Sequence, residues 1–159
     1  MSELGWSPSQ LDAKGLFKLP KPLWLVLWWL LRYPLIWVGS LMGGASGADF
    51  LNALMPRFDT AWPWLLPAIP AVLCLWLNGH RQLDSSDRLW WCWRQQGWLL
   101  KVTVAADLGL VVASIVGHHG RYDPWLAVQL TVSSWALVYL FSSKFLPLLW
   151  RDRPRFEKD

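Results

Sequence analysis

Four apolar runs set the limits on what this 159-residue chain can fold into: Leu23–Met42, Trp62–Asn78, Trp98–Gly117 and Trp125–Ser143. Each is about long enough, as a helix, to cross the roughly 30 Å hydrocarbon core of a bilayer. A soluble domain can bury one such run as a core helix, but four need a larger polar shell than this chain supplies. Hydrophobic residues make up 54% and charged residues 16%, against about 25% charged in soluble domains. The sequence therefore predicts an all-α polytopic membrane protein, a single domain built as a four-transmembrane-helix bundle.

The positions of the charges orient the spans. Lys14, Lys18 and Lys21 precede the first run, Arg81, Arg88 and Arg94 lie in the connection 79–97, and Lys144, Arg151, Arg153, Arg155 and Lys158 follow the last run. These eleven fall on one side, against Arg57 and Arg121 on the other. Basic residues flanking spans are retained in the cytoplasm, so both termini are expected there. The net charge of +4 is accounted for by this flanking pattern, and no nucleic-acid module is present.

The first run exceeds the 7–15 residues of a signal-peptide apolar region and is read as a retained span. Segment 43–61 is expected on the outer side. Within it Ser46-Gly47-Ala48-Asp49 resembles a capping box opening a short amphipathic helix that Pro56 ends. The inner connection is aromatic. Trp90, Trp91, Trp93 and Trp98 are expected at the membrane interface, where an apolar ring with one polar N–H is best placed, on an interfacial helix leading into the third span. A quinone or lipid-headgroup pocket is the alternative use of these rings. Arg57-Phe58-Asp59 before Trp62 and Arg121-Tyr122-Asp123 before Trp125 form a faint repeat, also explained by the ordinary preferences of proline and tryptophan at span ends.

Two ions of opposite sign lie inside the runs. Arg32 is nine residues past Leu23 and Asp107 nine past Trp98, each about 13.5 Å deep at the helical rise. A lone ion at that depth costs at least a few kcal/mol. Pairing offsets the cost, so the first and third helices are expected to be neighbours. Tyr33, Gln129 and Ser133 are candidates for the same polar centre. Pro34 cannot donate to the Leu30 carbonyl, which predicts a kink beside Arg32, while Pro67 and Pro70 are expected to distort the second span. Lys101, one turn inside its span, is expected to snorkel to the interface. Ala105, Gly109, Ala113 and Gly117 form a stripe of small residues, with Gly39 and Gly43 as a shorter one. Both suit close helix packing within the chain or with a partner.

No catalytic constellation, cofactor motif or metal-ligand spacing is present. Cys74 and Cys92 lack such spacing, and His80 is at the opposite end of the spans from His118 and His119, too far to clamp one haem.

Lys18-Leu19-Pro20-Lys21-Pro22-Leu23-Trp24, followed by Arg32-Tyr33-Pro34, resembles the YfeZ-like small inner-membrane proteins of gammaproteobacteria. The resemblance implies a multi-pass protein of a bacterial inner membrane and assigns no activity. The leading expectation is a non-enzymatic accessory, scaffold or envelope-maintenance subunit, in contact with membrane lipids and with another inner-membrane protein or a second copy of itself. The alternatives are a small transporter or channel component using Arg32 and Asp107, and a membrane enzyme or quinone- or lipid-binding subunit.

Overall fold

The structure is a computed structural model that describes residues 16–43, 65–80, 86–117 and 124–151. All regular elements among them are helical: α1 (Lys21–Leu30), α2 (Arg32–Met42), α3 (Ala68–His80), α4 (Asp87–Gly117), α5 (Pro124–Ser142) and α6 (Phe145–Arg151). The amphipathic segment before Pro56, the two Arg-aromatic-Asp blocks, His118-His119 and the basic tail after Arg151 lie outside the described residues.

The first run is one span's length broken in two. α1 and α2 meet at Leu31 with a bend of 55°. Pro22 sits in the first turn of α1, where its missing N–H costs nothing. Pro34 removes the donor for the Leu30 carbonyl, and the chain turns at Leu31 with φ −83° and ψ −2°, off the regular helix. On either side the ladder holds: the Leu31 amide donates to the Leu27 carbonyl at 3.0 Å and that of Leu35 to the Leu31 carbonyl at 3.1 Å.

Of the second run, expected to span Trp62–Asn78, the structure describes the part from residue 65 onward. Its described helix, α3, has 13 residues, about 20 Å at the helical rise. Pro67 lies in the turn ahead of α3, closed by the Ile69 amide on the Leu66 carbonyl at 3.2 Å. Pro70 falls in the first helical turn, where backbone donors have no intrahelical partner anyway. The prolines thus set where α3 begins instead of bending its middle.

The third run differs from expectation. In place of an interfacial helix followed by a span, Asp87–Gly117 is one helix of 31 residues, about 46 Å long. No proline or β-branched cluster interrupts Leu89–Trp98, so the helix that starts after Ser86 continues through the tryptophans. α4 and α5 are each long and apolar enough to cross a membrane, and α1 with α2 add a third if the bent pair is a single span.

The helices pack around a stripe on α4. Its buried positions Trp93, Gln96, Leu100, Thr103 and Asp107 alternate three and four residues apart, as do Leu126, Gln129, Ser133, Ala136 and Leu140 on α5. That spacing keeps one seam of each helix facing the other. Contacts pairing Asp107 with Ser133 and Lys101 with Phe141 make the two antiparallel. One apolar cluster joins Leu23, Val26, Leu27 and Leu30 of α1 to Ala71, Cys74 and Leu77 of α3, to Leu100 and Val104 of α4, and to α6. A smaller cluster centres on Tyr33 and Val111. The outward faces remain apolar, with Leu25, Trp28, Val102, Val116, Val138 and Phe141 exposed, as suits helices surrounded by hydrocarbon.

Candidate functional site: a buried polar centre

Between the two apolar clusters lies a layer of polar side chains from three helical segments. Arg32 enters from the first turn of α2, Asp107 from the middle of α4 and Ser133 from α5. Arg32 Nη2 donates to Asp107 Oδ1 at 2.7 Å, with side chains only 6% and 0% exposed. Asp107 Oδ2 accepts from Ser133 Oγ at 2.7 Å, and Ser133 Oγ in turn accepts from Trp29 Nε1 at 3.0 Å. The second guanidinium nitrogen, Nη1, donates to the Trp29 carbonyl at 2.9 Å, beside the break at Leu31. Both carboxylate oxygens are therefore matched by donors, as a buried ion requires if pairing is to offset its desolvation.

Aromatic rings enclose the cation. The Arg32 guanidinium carbon is 4.4 Å from the Trp29 ring centroid and 4.3 Å from that of Tyr33. Such contacts stabilise a cation most where water is excluded. Tyr33 Oη extends the network by donating to Gln129 Oε1 at 3.1 Å, and Trp29 leans on Trp125 with centroids 6.4 Å apart. The structure thus gathers Arg32, Tyr33, Asp107, Gln129 and Ser133 into one cluster. It adds Trp29, which the sequence hid: in a run with tryptophans at 24, 28 and 29, nothing marks one N–H as turned inward.

The remaining candidate residues lie outside this cluster. Ala105, Gly109, Ala113 and Gly117 are all exposed, as are Gly39 and Gly43, and a Cβ added at Gly39, Gly109 or Gly117 would meet nothing within 4 Å. The small-residue stripes face outward, and Gly39, Gly109 and Gly117 close no helix contact among the described residues. The intrachain close approach falls instead at Gly97, where a Cβ would lie 2.6 Å from Trp150 Cδ1.

The four interfacial tryptophans separate into two pairs. Trp91 and Trp98 are exposed. Trp90 and Trp93 are buried: Trp93 Nε1 donates to the Leu149 carbonyl at 3.1 Å and its ring packs on Trp150 at 4.7 Å. The reason is helical spacing. With α4 continuous, positions 90 and 93 share the face that α6 covers, while 91 and 98 share the opposite one. Gln96, one turn on from Trp93, is fully buried with neither amide atom hydrogen-bonded within the chain.

His80 lies at the end of α3 against the Trp76 ring, centroids 4.6 Å apart, with Nδ1 2.9 Å from the Trp76 carbonyl oxygen. Among the described residues, no three His, Cys, Asp or Glu side chains come together in a metal-ligating group.

A chain whose described elements are all helical, with apolar faces outward, helices long enough to cross a membrane and a buried ion pair inside, is an integral membrane protein. The family described as "Protein of unknown function (DUF2919)" matches residues 6–152, and the chain belongs to it. It is 35% identical over 134 residues to the inner membrane protein YfeZ of Escherichia coli strain K12, a match covering 73% of this chain and 87% of that protein. No solved structure gives a significant match.

Proposed function

We propose that this chain is a multi-pass inner-membrane protein without catalytic activity of its own, acting as an accessory or scaffold subunit in which four spans are held by a structural ion pair. α1 with α2, α3, α4 and α5 are the spans, with both termini cytoplasmic, as the eleven-to-two distribution of flanking basic residues supports. The second span then includes residues ahead of α3, whose 13 residues alone are shorter than the bilayer core.

The observation that carries the structural reading is that the Asp107 carboxylate is fully matched within the chain, although Arg32 Nε beside it has no hydrogen-bond partner among the described residues. Each carboxylate oxygen accepts a bond from within the chain, and neither side chain lines the cavity between the Leu66–Pro67 turn and α4. A centre that pairs with itself needs no substrate to explain it. What the protein presents to other molecules is its exterior: the outward small residues and the exposed tryptophans.

Native mass spectrometry after gentle purification tests this reading, with a specific protein companion or a defined oligomer expected. Recovery of the bare monomer alone argues against a subunit role. A C-terminal fusion to a fluorescent protein is expected to glow, and one to a periplasm-dependent phosphatase to stay inactive. The reverse pattern rejects the orientation.

One observation favours a transport reading as a second possibility: the helix breaks beside a midplane ion, an arrangement from which transporters build binding sites. Proton or cation flux in liposomes that is lost on Asp107→Asn supports it.

A further inference from the structure

The exposed face of α4 carries chemistry that the polar centre does not use. Trp91 and Trp98, two turns apart, are 61% and 63% exposed. Arg94 is exposed between them, and Lys101 follows on the same side of the helix. Lys101 Nζ lies 4.9 Å from the Phe141 ring centroid of α5, which anchors the ammonium at the edge of this face. Neither Arg94 nor Lys101 forms an ion pair with a described residue. Helical side chains lean toward the helix N-terminus, so Lys101 leans back toward the level of Trp98 and Arg94 toward that of Trp91. The two cations, about 10 Å apart along the axis, lie within reach of one phosphate only through their long, flexible stems.

A groove continues deeper along the helix. A cavity of about 440 Å³ lies between the Leu66–Pro67 turn and α4, where Val102, Ala106, Gly109 and Leu110 form its wall. Thr103 also borders it, with its hydroxyl already donating to the Leu99 carbonyl at 2.7 Å, so the lining offers no unmet polar group. The α4 wall runs from about 6 Å to about 18 Å beyond Trp98 at the helical rise. Along the helix axis two cations, an indole and an apolar groove thus follow one another in the order of a phospholipid's phosphate, ester region and acyl chain. The cations lie at the edge of the exposed face nearer Phe141 and the groove at the edge nearer Leu66 and Pro67, so that the acyl chain would cross over Trp98.

We propose that this face binds an anionic phospholipid of the cytoplasmic leaflet, its phosphate between Arg94 and Lys101 and one acyl chain in the groove. Charge complementarity selects the lipid: two unpaired cations favour a headgroup with net negative charge over a zwitterionic one, which brings its own cation. The bulky, exposed Trp91 and Trp98 would hold a partner helix away from the inner half of α4, leaving Ala113 and Gly117 in the outer half for such contacts. The proposal rests on the orientation given above, with the Asp87 end of α4 in the cytoplasm.

Native mass spectrometry of the full chain, titrated with phosphatidylglycerol or phosphatidylcholine of matched acyl chains, tests it. The wild type is expected to retain phosphatidylglycerol over phosphatidylcholine by at least about fivefold, the scale of one basic residue at a membrane surface. Arg94→Gln with Lys101→Gln is expected to abolish that preference, and Gly109→Leu to lower retention of both lipids by filling the groove. Lys21→Gln, away from this face, is expected to change neither. Arg94→Gln alone, at an exposed site, serves if the double variant does not purify. Equal retention of the two lipids by the wild type, or a preference that survives loss of Arg94, overturns the site; unchanged retention in Gly109→Leu overturns the groove as the acyl position. A protein companion registers at its own mass in the same spectra, so the scaffold reading and the lipid site can fail separately.

Discussion

Arg32 is held by more than charge. Its guanidinium bonds one carboxylate oxygen and one backbone carbonyl, and lies against two aromatic rings. Removing either partner of a buried pair leaves an uncompensated ion, at a cost of about 3–5 kcal/mol. Arg32→Gln and Asp107→Asn are each expected to lower the thermal midpoint sharply in detergent, and Arg32→Asp with Asp107→Arg to recover part of the accumulation lost in the single charge reversals. If the double reversal accumulates no better than either single variant, the direct pair is not what holds these helices. Ser133→Ala removes one donor to Asp107 and interrupts the link to Trp29, for a smaller expected loss of about 1 kcal/mol, read from the same melts.

The pair's partners were legible in the sequence to different degrees. Equal depth along two spans running the same way puts Arg32 and Asp107 at one level, and side-chain chemistry alone marks Tyr33, Gln129 and Ser133. Trp29 was not legible, because a tryptophan turned inward and one in the aromatic belt look alike in a single sequence. Gln96 was hidden for a different reason: it stands in a stretch that reads as polar connection, and only the continuity of α4 buries it.

For the elements, proline position decided more than proline number. Pro34 falls in mid-run and the helix breaks near it; Pro67 and Pro70 fall at a helix start and are absorbed there. Pro34→Ala restores a donor to the Leu30 carbonyl and is expected to straighten the α1–α2 junction. Spin labels at the exposed positions Leu25 and Leu41 are expected to move apart in that variant, and an unchanged separation would assign the 55° bend to packing instead.

Glycine shows the same dependence on surroundings. Gly97→Ala drives a methyl group into the Trp150 ring and is expected to dislodge α6 at a cost of about 1–3 kcal/mol, visible in the midpoint and in tryptophan fluorescence. Gly109→Ala meets open space and is expected to leave both unchanged. The sequence pattern ranks these two the other way, since Gly109 belongs to a stripe and Gly97 stands alone. Periodicity reveals which residues share a face, whereas what that face meets depends on the rest of the chain.

At the level of the whole molecule, the all-helical class and the membrane setting follow from apolar length and charge distribution. Element boundaries are less legible, because a run's hydrophobic extent need not coincide with its hydrogen-bonded extent: α4 begins eleven residues before its apolar run, and α3 several residues inside its own. The core is organised as two apolar clusters separated by the polar layer, and the layer joins α1 and α2 to the α4–α5 hairpin through Trp29, Arg32 and Tyr33.

That link has a consequence in time. Asp107 follows Arg32 by 75 residues, about 4–15 s of translation at roughly 5–20 residues per second. In the proposed topology the nascent first span carries, throughout that interval, a cation whose counterion has not been synthesised, at a penalty of about 2.5–3.5 kcal/mol near the bilayer centre. The apolar residues of the run offset part of that penalty, and the early chain is expected to be held in the membrane less firmly until its later half arrives. A ribosome stalled before residue 107 is therefore expected to yield a first span that alkali extracts more readily than the one in the finished protein.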